Sequence, residues 1–187
     1  MAQHVCPWWL GYVLANPLRR LLENPRAILA PYVGEGMIVL EPGPGMGFFT
    51  LDLARLVGAS GKIVAVDLQV KMLDGLRRRA AKAGLLDRID ARLAPANGLG
   101  VADLRGQVDF VLAYYVVHEL PDAAAFFAEA VDVLKPAGKV LMVEPRGHVS
   151  PSQFDDELRA ASQAGLTVTA RPAIGRSRAV VLAKSTG

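Results

Sequence analysis

A single cysteine, Cys6, occurs in the 187 residues, which excludes an intrachain disulfide and a cysteine-rich metal centre. With His4 it offers at most two ligands, too few to close a zinc site, so no metal is expected. Long apolar runs are missing too. The longest candidates end at Glu41, Asp67, His118 and Glu144, well short of the roughly 20 residues a membrane-crossing helix needs, and no membrane partner is expected. The pattern of a secretory leader is also lacking: Pro7, Asn16 and Pro17 interrupt the first apolar stretch, and Arg19 and Arg20 follow it. A cytoplasmic location is the resulting expectation. The excess of positive charge is only +3. Its one cluster, Arg77, Arg78, Arg79 and Lys82, reads as a solvated helix face. Nucleic-acid binding would want a longer basic stripe with interleaved aromatics, so no nucleic-acid partner is expected.

What the chain does have is material for a core. Hydrophobic residues make up 52% and charged residues 21%, enough apolar surface to offset the entropy of ordering, on a length that suits one core. From Met37 onward, short β-branched runs alternate with helical stretches, the pattern of a parallel sheet covered by helices. The expected strands are Met37 to Glu41, Lys62 to Val66, Ile89 to Leu93, Val108 to Ala113, Lys139 to Val143, Leu166 to Ala170 and Ala179 to Ala183. Helices are expected over Phe48 to Val57, over Val70 to Ala83 with Val70, Leu73 and Leu76 on the buried stripe, and over Asp122 to Leu134. Only Arg171 to Arg178 separates the last two strands, too little for a helical crossover, so they should form an antiparallel hairpin. Asn16-Pro17 and Asn24-Pro25 each offer an N-cap followed by proline, which predicts two short helices before the first strand. Trp8, Trp9 and Tyr12 precede them. Residues 1–36 are thus expected to form a helical cap, and residues 37–187 one folding unit.

The strongest local signal is Glu41-Pro42-Gly43-Pro44-Gly45-Met46-Gly47-Phe48, a strand running through glycines into a helix. Glycines let a turn take conformations closed to other residues and let a ligand approach the backbone. A dinucleotide fingerprint would want glycine at position 48, where Phe48 stands, and no Gly-Lys-Ser or Gly-Lys-Thr follows for a phosphate loop.

These residues resemble the class I S-adenosylmethionine-dependent methyltransferases, whose first motif is an acidic residue followed by Gly-x-Gly-x-Gly. Glu41, Gly43, Gly45 and Gly47 match it. The resemblance implies S-adenosylmethionine as cofactor, with Glu41 near its amino group and the loop around its methionine part. It further implies Asp67 at the ribose hydroxyls and Leu68 against the adenine. Val108 to Ala113 with the following Tyr114 to Pro121, Leu134 to Lys139, and the terminal hairpin are similar to the family's fourth strand, fifth-strand turn and antiparallel finish. The implied fold is a doubly wound, mostly parallel α/β sheet of seven strands, Rossmann-like, in the order 3-2-1-4-5-7-6. Where many members carry an acidic residue for the adenine amine, this chain has Ala94-Pro95-Ala96-Asn97, so Asn97 or a backbone carbonyl takes that role. Ala113, closing the fourth strand, completes the implied cofactor set.

Methyl transfer needs an in-line nucleophile and little else, because the sulfonium already activates the methyl group. Candidate catalytic residues are therefore sought where a doubly wound sheet places its crevice, at the strand ends. They are Tyr115, His118 and Glu119 after the fourth strand, with Tyr114, Glu144, Arg146 and His148 nearby. His118 suits proton acceptance, and Glu119 suits a cationic substrate. No Asn-Pro-Pro-Tyr or Asp-Pro-Pro-Tyr follows Ala113, which argues against methylation of base or glutamine amino groups. A small-molecule acceptor is expected. A non-catalytic cofactor-binding or scaffold protein, a protein or RNA methyltransferase, and a nicotinamide oxidoreductase are the alternatives.

Overall fold

The computed structural model describes residues 23–95 and 97–185. The helix expected at Asn16-Pro17, with His4, Cys6, Trp8, Trp9 and Tyr12, lies outside these residues. Along the chain run α1 (Pro25–Leu29), β1 (Ile38–Pro42), α2 (Thr50–Leu56), β2 (Lys62–Asp67), α3 (Val70–Lys82), β3 (Ile89–Leu93), β4 (Val108–Tyr114), α4 (Ala123–Val133), β5 (Leu134–Pro145), α5 (Pro151–Gln163), β6 (Leu166–Ala170) and β7 (Ser177–Lys184). The strand order is β3-β2-β1-β4-β5-β7-β6, the expected doubly wound, mostly parallel sheet with an antiparallel finish. Among the described residues, no helix is long and apolar enough to cross a membrane. The chain divides after Pro95 into two compact units.

In the first unit, β1 pairs in parallel with β2 and β2 with β3, with Val39 opposite Ile63 and Ala65 opposite Ala91. Val39, Leu40, Ile63, Val64 and Ala65 are all buried, as parallel strands covered on both faces require. Asn24 caps α1 by accepting the Ala27 N–H at 3.2 Å, with Pro25 in its first turn, and α1 packs on α2. The buried face of α3 is Met72, Leu73, Gly75, Leu76 and Ala80. Val70 was expected on that stripe but is 53% exposed. A strict three-residue spacing drifts about 60° per step on a helix of 3.6 residues per turn, and the burial follows Leu73, Leu76 and Ala80 instead. Burying Leu73 and Leu76 contributes about 1.5–3 kcal/mol each.

In the second unit, β4 and β5 are parallel, while β7 pairs antiparallel with both β5 and β6. Asp122 caps α4 by accepting the Ala125 N–H at 3.0 Å. The expected turn from Leu134 to Lys139 is instead the start of β5. Leu134 pairs with Val108, the register slips, and Lys139 then pairs with Phe110. Gly138 permits the slip, since a Cβ there would come within 2.7 Å of Leu134 Cδ2 and 3.0 Å of the Val108 carbonyl. The sequence reading did not single out α5. Its start is a capping box in which Ser150 Oγ accepts the Gln153 N–H at 3.2 Å and Gln153 Oε1 accepts the Ser150 N–H at 2.9 Å.

Candidate active site

The glycine loop joins β1 to α2 through three left-handed residues, Gly43, Gly45 and Gly47, with φ of 66°, 54° and 83°. Their environments differ. Gly47 is buried, and a Cβ there would sit 2.5 Å from Leu76 Cδ1 on α3. At Gly45, a Cβ would meet nothing within 4 Å. The third glycine therefore lets the loop settle on α3, and the second leaves the open side clear. Gly43 donates its N–H to the Val66 carbonyl at 2.9 Å and Gly47 donates to Pro44 at 3.0 Å, so both amides are used within the unit. Arg79 donates to the Met46 carbonyl at 2.5 Å and Arg77 to the Ala91 carbonyl at 2.7 Å. The basic cluster is thus partly a clamp on the glycine loop rather than a merely solvated face. Gly47→Ala should cost about 1–2 kcal/mol from its left-handed backbone alone, plus the clash with Leu76, and a urea melt will read this as a lowered midpoint.

Glu41 and Asp67 close the ends of β1 and β2. Glu41 is buried and its Oε2 has no hydrogen-bond partner among the described residues, nor does the buried Thr50 Oγ1. Burial, reinforced by the charge of Asp67 and opposed by the nearby Thr50 hydroxyl, pushes the Glu41 carboxyl up to about 7. Asp67 accepts the Gln69 N–H at 2.9 Å. Burial pushes its carboxyl up to about 6, against the amides of Gln69, Gly45 and Leu68 that favour the ion. Leu68 is 50% exposed, unusual for a leucine beside a buried carboxylate, and Val70 and Leu93 are also exposed. Leu93 lies opposite Asp67 in the β2–β3 register.

In the second unit, the end of β4 carries Tyr115, whose φ of 59° is the only positive value outside glycine among the described residues. Strain of this kind persists where surrounding contacts overdetermine it. Here the Tyr115 N–H donates to the Val143 carbonyl at 2.8 Å and its hydroxyl hydrogen-bonds Ser177 Oγ at 2.6 Å. That hydroxyl is therefore already engaged. The next turn, Val117–Glu119, brings His118 Nδ1 into hydrogen-bond contact with Glu144 Oε2, while Glu144 Oε1 accepts the Val117 N–H at 3.0 Å. Glu144 is fully buried, and the His118 side chain is 20% exposed. Burial disfavours the imidazolium, but the Glu144 hydrogen bond and charge, with Glu119 and Glu157 behind them, raise His118 above its ordinary value. The His118 ring centre lies 6.1 Å from that of His148. Ala113 is buried within β4, and Asn97 is exposed.

A methyltransferase-domain family model matches residues 40–142. The chain belongs to the class I S-adenosylmethionine-dependent methyltransferases. Similar proteins include an arsenite methyltransferase from Halobacterium salinarum, 31% identical over 73% of this chain and 33% of that one. A demethylmenaquinone methyltransferase from Lactococcus lactis is 31% identical over 58% of this chain and 42% of that one. Among solved structures, a SAM-dependent methyltransferase from Aquifex aeolicus shares the fold with a TM-score of 0.85 at 24% identity, covering 97% of this chain and all of that one. The chain spans about a third to two fifths of the length of those two curated relatives.

The family's cofactor is S-adenosylmethionine, and the residues of the first unit fit it. The unpartnered Glu41 Oε2 is a buried acceptor suited to an ammonium group, Asp67 is an acceptor suited to paired hydroxyls, and the open side of Gly45 leaves room for a ligand. Two residues beside the candidate site escaped the sequence reading. Arg79 belonged to a charge run, and Glu157 sits on a helix that was not singled out, although Ser150-Pro151 with Gln153 is a legible helix start.

Proposed function

We propose that the chain transfers a methyl group from S-adenosylmethionine to a small-molecule acceptor by in-line displacement, with His118 as the acceptor's base. When bound, the cofactor supplies a methyl group on a cationic sulfur, already activated toward a nucleophile. Glu41, Gly43, Gly45, Gly47, Asp67 and Leu68 of the first unit hold it. Glu41 binds the ammonium, Asp67 the ribose hydroxyls, and Leu68 offers an apolar face.

The observation that carries the catalytic reading is the His118–Glu144 pair. A carboxylate at Nδ1 fixes the tautomer with the proton on that nitrogen and leaves the Nε2 lone pair to accept. Nε2 has no hydrogen-bond partner among the described residues. His118 takes the acceptor's proton as the nucleophile attacks, and Glu144 stabilises the imidazolium that results. Tyr115 holds the β4 end through Ser177, and Glu119 adds negative charge beside the base.

A small acceptor is supported by the names of the two curated relatives, which specify arsenite and demethylmenaquinone, and by a cleft of about 440 Å³ lined by Arg146, Gly147, Gly175 and Arg176. Arg146 Nε is anchored on the Ser177 carbonyl at 3.3 Å. Arg176 has no ion-pair partner among the described residues. Replacing both arginines by glutamine should raise KM about tenfold for an acidic acceptor, the loss of roughly one charge-assisted hydrogen bond, and leave KM for a neutral one unchanged.

Glu41 gives the cofactor reading its own pH signature. A carboxyl that titrates near 7 when free must ionise to meet an ammonium, so affinity for S-adenosylmethionine should rise from pH 5 to pH 8 with release of a proton. Calorimetry in buffers of different ionisation heat measures that release, and Glu41→Gln should cut it to the part contributed by Asp67, itself pushed up to about 6.

The experiment that tests the whole reading is titration with S-adenosylmethionine and S-adenosylhomocysteine, with NAD as competitor, followed by a methyl-transfer panel of thiols, amines, phenols and metalloid acids. Binding of the two sulfur ligands with transfer to one class is the expected result. Binding without transfer to any small acceptor would leave a scaffold or a macromolecular substrate, and no binding would overturn the reading.

A further inference from the structure

The ladder between β5 and β7 ends with Pro145 opposite Ser177. One step further along that register Arg146 stands opposite Arg176, and both line one cleft with Gly147 and Gly175. Like charges set directly across a strand pair destabilise it, so the arrangement calls for an anion. Neither arginine has an ion-pair partner among the described residues. The acid nearest Arg146 in sequence, Glu144, has both oxygens committed, one to the Val117 N–H and one to His118 Nδ1.

The cleft is held in shape from beneath. Arg146 Nε donates to the Ser177 carbonyl at 3.3 Å, which restrains the guanidinium, and its terminal nitrogens have no acceptor among the described residues. Ser177 is buried, and its hydroxyl hydrogen-bonds that of Tyr115 at 2.6 Å. The left-handed backbone of Tyr115, φ 59°, thereby acquires a task, since strain of this kind gathers at functional sites: its hydroxyl steadies the residue whose carbonyl aims Arg146. Gly147 and Gly175 keep the walls low. A Cβ on either would meet nothing within 4 Å, and their N–H groups have no acceptor among the described residues. Two guanidinium groups and free backbone amides around one concavity are the chemistry that recognises an oxyanion. Its volume of about 440 Å³ suits a small molecule. His148, two residues after Arg146, has its ring centre 6.1 Å from that of His118, which links the arginine segment to the proposed base within one unit of the chain.

We infer that the cleft is the subsite for an oxyanion on the methyl acceptor, which is therefore a small acid whose carboxylate or phosphate Arg146 and Arg176 hold apart from the atom that is methylated. The inference rests on the proposed transfer to a small acceptor and names its chemical class. An acceptor tethered by its charge has lost orientational freedom before it reacts, which an in-line displacement requires. A neutral acceptor would leave the two arginines opposed and uncompensated.

The test is NMR of the full chain without cofactor, following the arginine Nε–Hε signals. Succinate and inorganic phosphate are separate probes at constant ionic strength, with chloride as the control. Arg146 and Arg176 should shift saturably with a Kd of about a millimolar for at least one probe, the strength of two charge-assisted contacts. Arg159, paired with Asp156 on α5, should not follow. The tighter probe identifies the group that the acceptor carries. R176Q should weaken the binding at least tenfold without lowering the melting temperature, because it removes an opposed like charge. R176E places a carboxylate opposite Arg146 and should abolish the binding. Shifts that do not saturate by about 0.1 M, where charges are screened beyond about 10 Å, overturn the inference, as does undiminished binding by R176Q. If the anions bind as expected and no acid is methylated, the transfer reading fails alone. If only neutral acceptors are methylated and R176Q turns them over normally, the anion subsite fails alone.

Discussion

Asp67→Ala will weaken binding of S-adenosylmethionine at least a hundredfold. A carboxylate accepting two hydroxyl hydrogen bonds gains about 1.5–3 kcal/mol from each, and about 1.4 kcal/mol corresponds to a factor of ten in Kd, so two bonds place the loss between a hundredfold and ten-thousandfold. The carboxylate also organises the strand end, since it accepts the Gln69 amide and lies near those of Gly45 and Leu68. Asp67→Asn separates the two contributions. Asparagine keeps one acceptor for the Gln69 N–H and removes the charge, so it should preserve the melting temperature and still lose most of the affinity. Calorimetric titration of both variants reads this directly. An alanine variant that binds like the wild type would remove Asp67 from the cofactor site.

His118→Gln will lower kcat at least a hundredfold while leaving the Kd for S-adenosylmethionine unchanged. General-base catalysis contributes about 10²–10⁴, and the hydrogen-bond partner of the His118 side chain among the described residues is Glu144, not a proposed cofactor residue. The pH profile carries the sign of the assignment. A base must be neutral to act, so kcat/KM should rise with pH through the His118 midpoint, which Glu144, Glu119 and Glu157 hold above the ordinary histidine value of 6.5. Glu144→Gln removes the largest of these influences yet can still accept the Val117 N–H, so its acid limb should lie at lower pH than that of the wild type. A profile that ignores both substitutions would assign the proton elsewhere.

The elements read correctly in the sequence are those whose physics is local. The glycine loop needs only its own backbone conformations, and Asp122 caps α4 from one residue away. The hairpin follows from a connection too short to do anything else. What stayed hidden depends on distant partners. Lys135, Pro136 and Gly138 read as a turn, yet pairing of Leu134 with Val108 begins β5 there. Val70 has the right residue type and the wrong angle on α3. Glu157 was out of reach because a glutamate on an amphipathic helix belongs by default to the polar face, and only the packing of α5 on distant elements, α4 among them, makes it a core residue. The site was legible in the same proportion. Glu41, Gly43, Gly45 and Gly47 stand out in one short stretch of chain, whereas the partnership of His118 with Glu144 spans 26 residues.

The antiparallel pairing of β5 with β7, from Lys139 opposite Ala183 to Pro145 opposite Ser177, also sets the order of events as the chain is made. One edge of β5 finds its partner β4 already synthesised. The other edge must wait until about 30 further residues have emerged, α5 and β6 among them, which at ribosomal speed is a delay of about 2 to 6 seconds. During that interval Val140 to Val143 present one unpaired edge of an apolar strand, the kind that recruits other nascent chains. The stretch from Arg146 to Arg176 is thus a window of vulnerability on the ribosome, and slower codons placed within it should lower soluble yield without altering the finished protein.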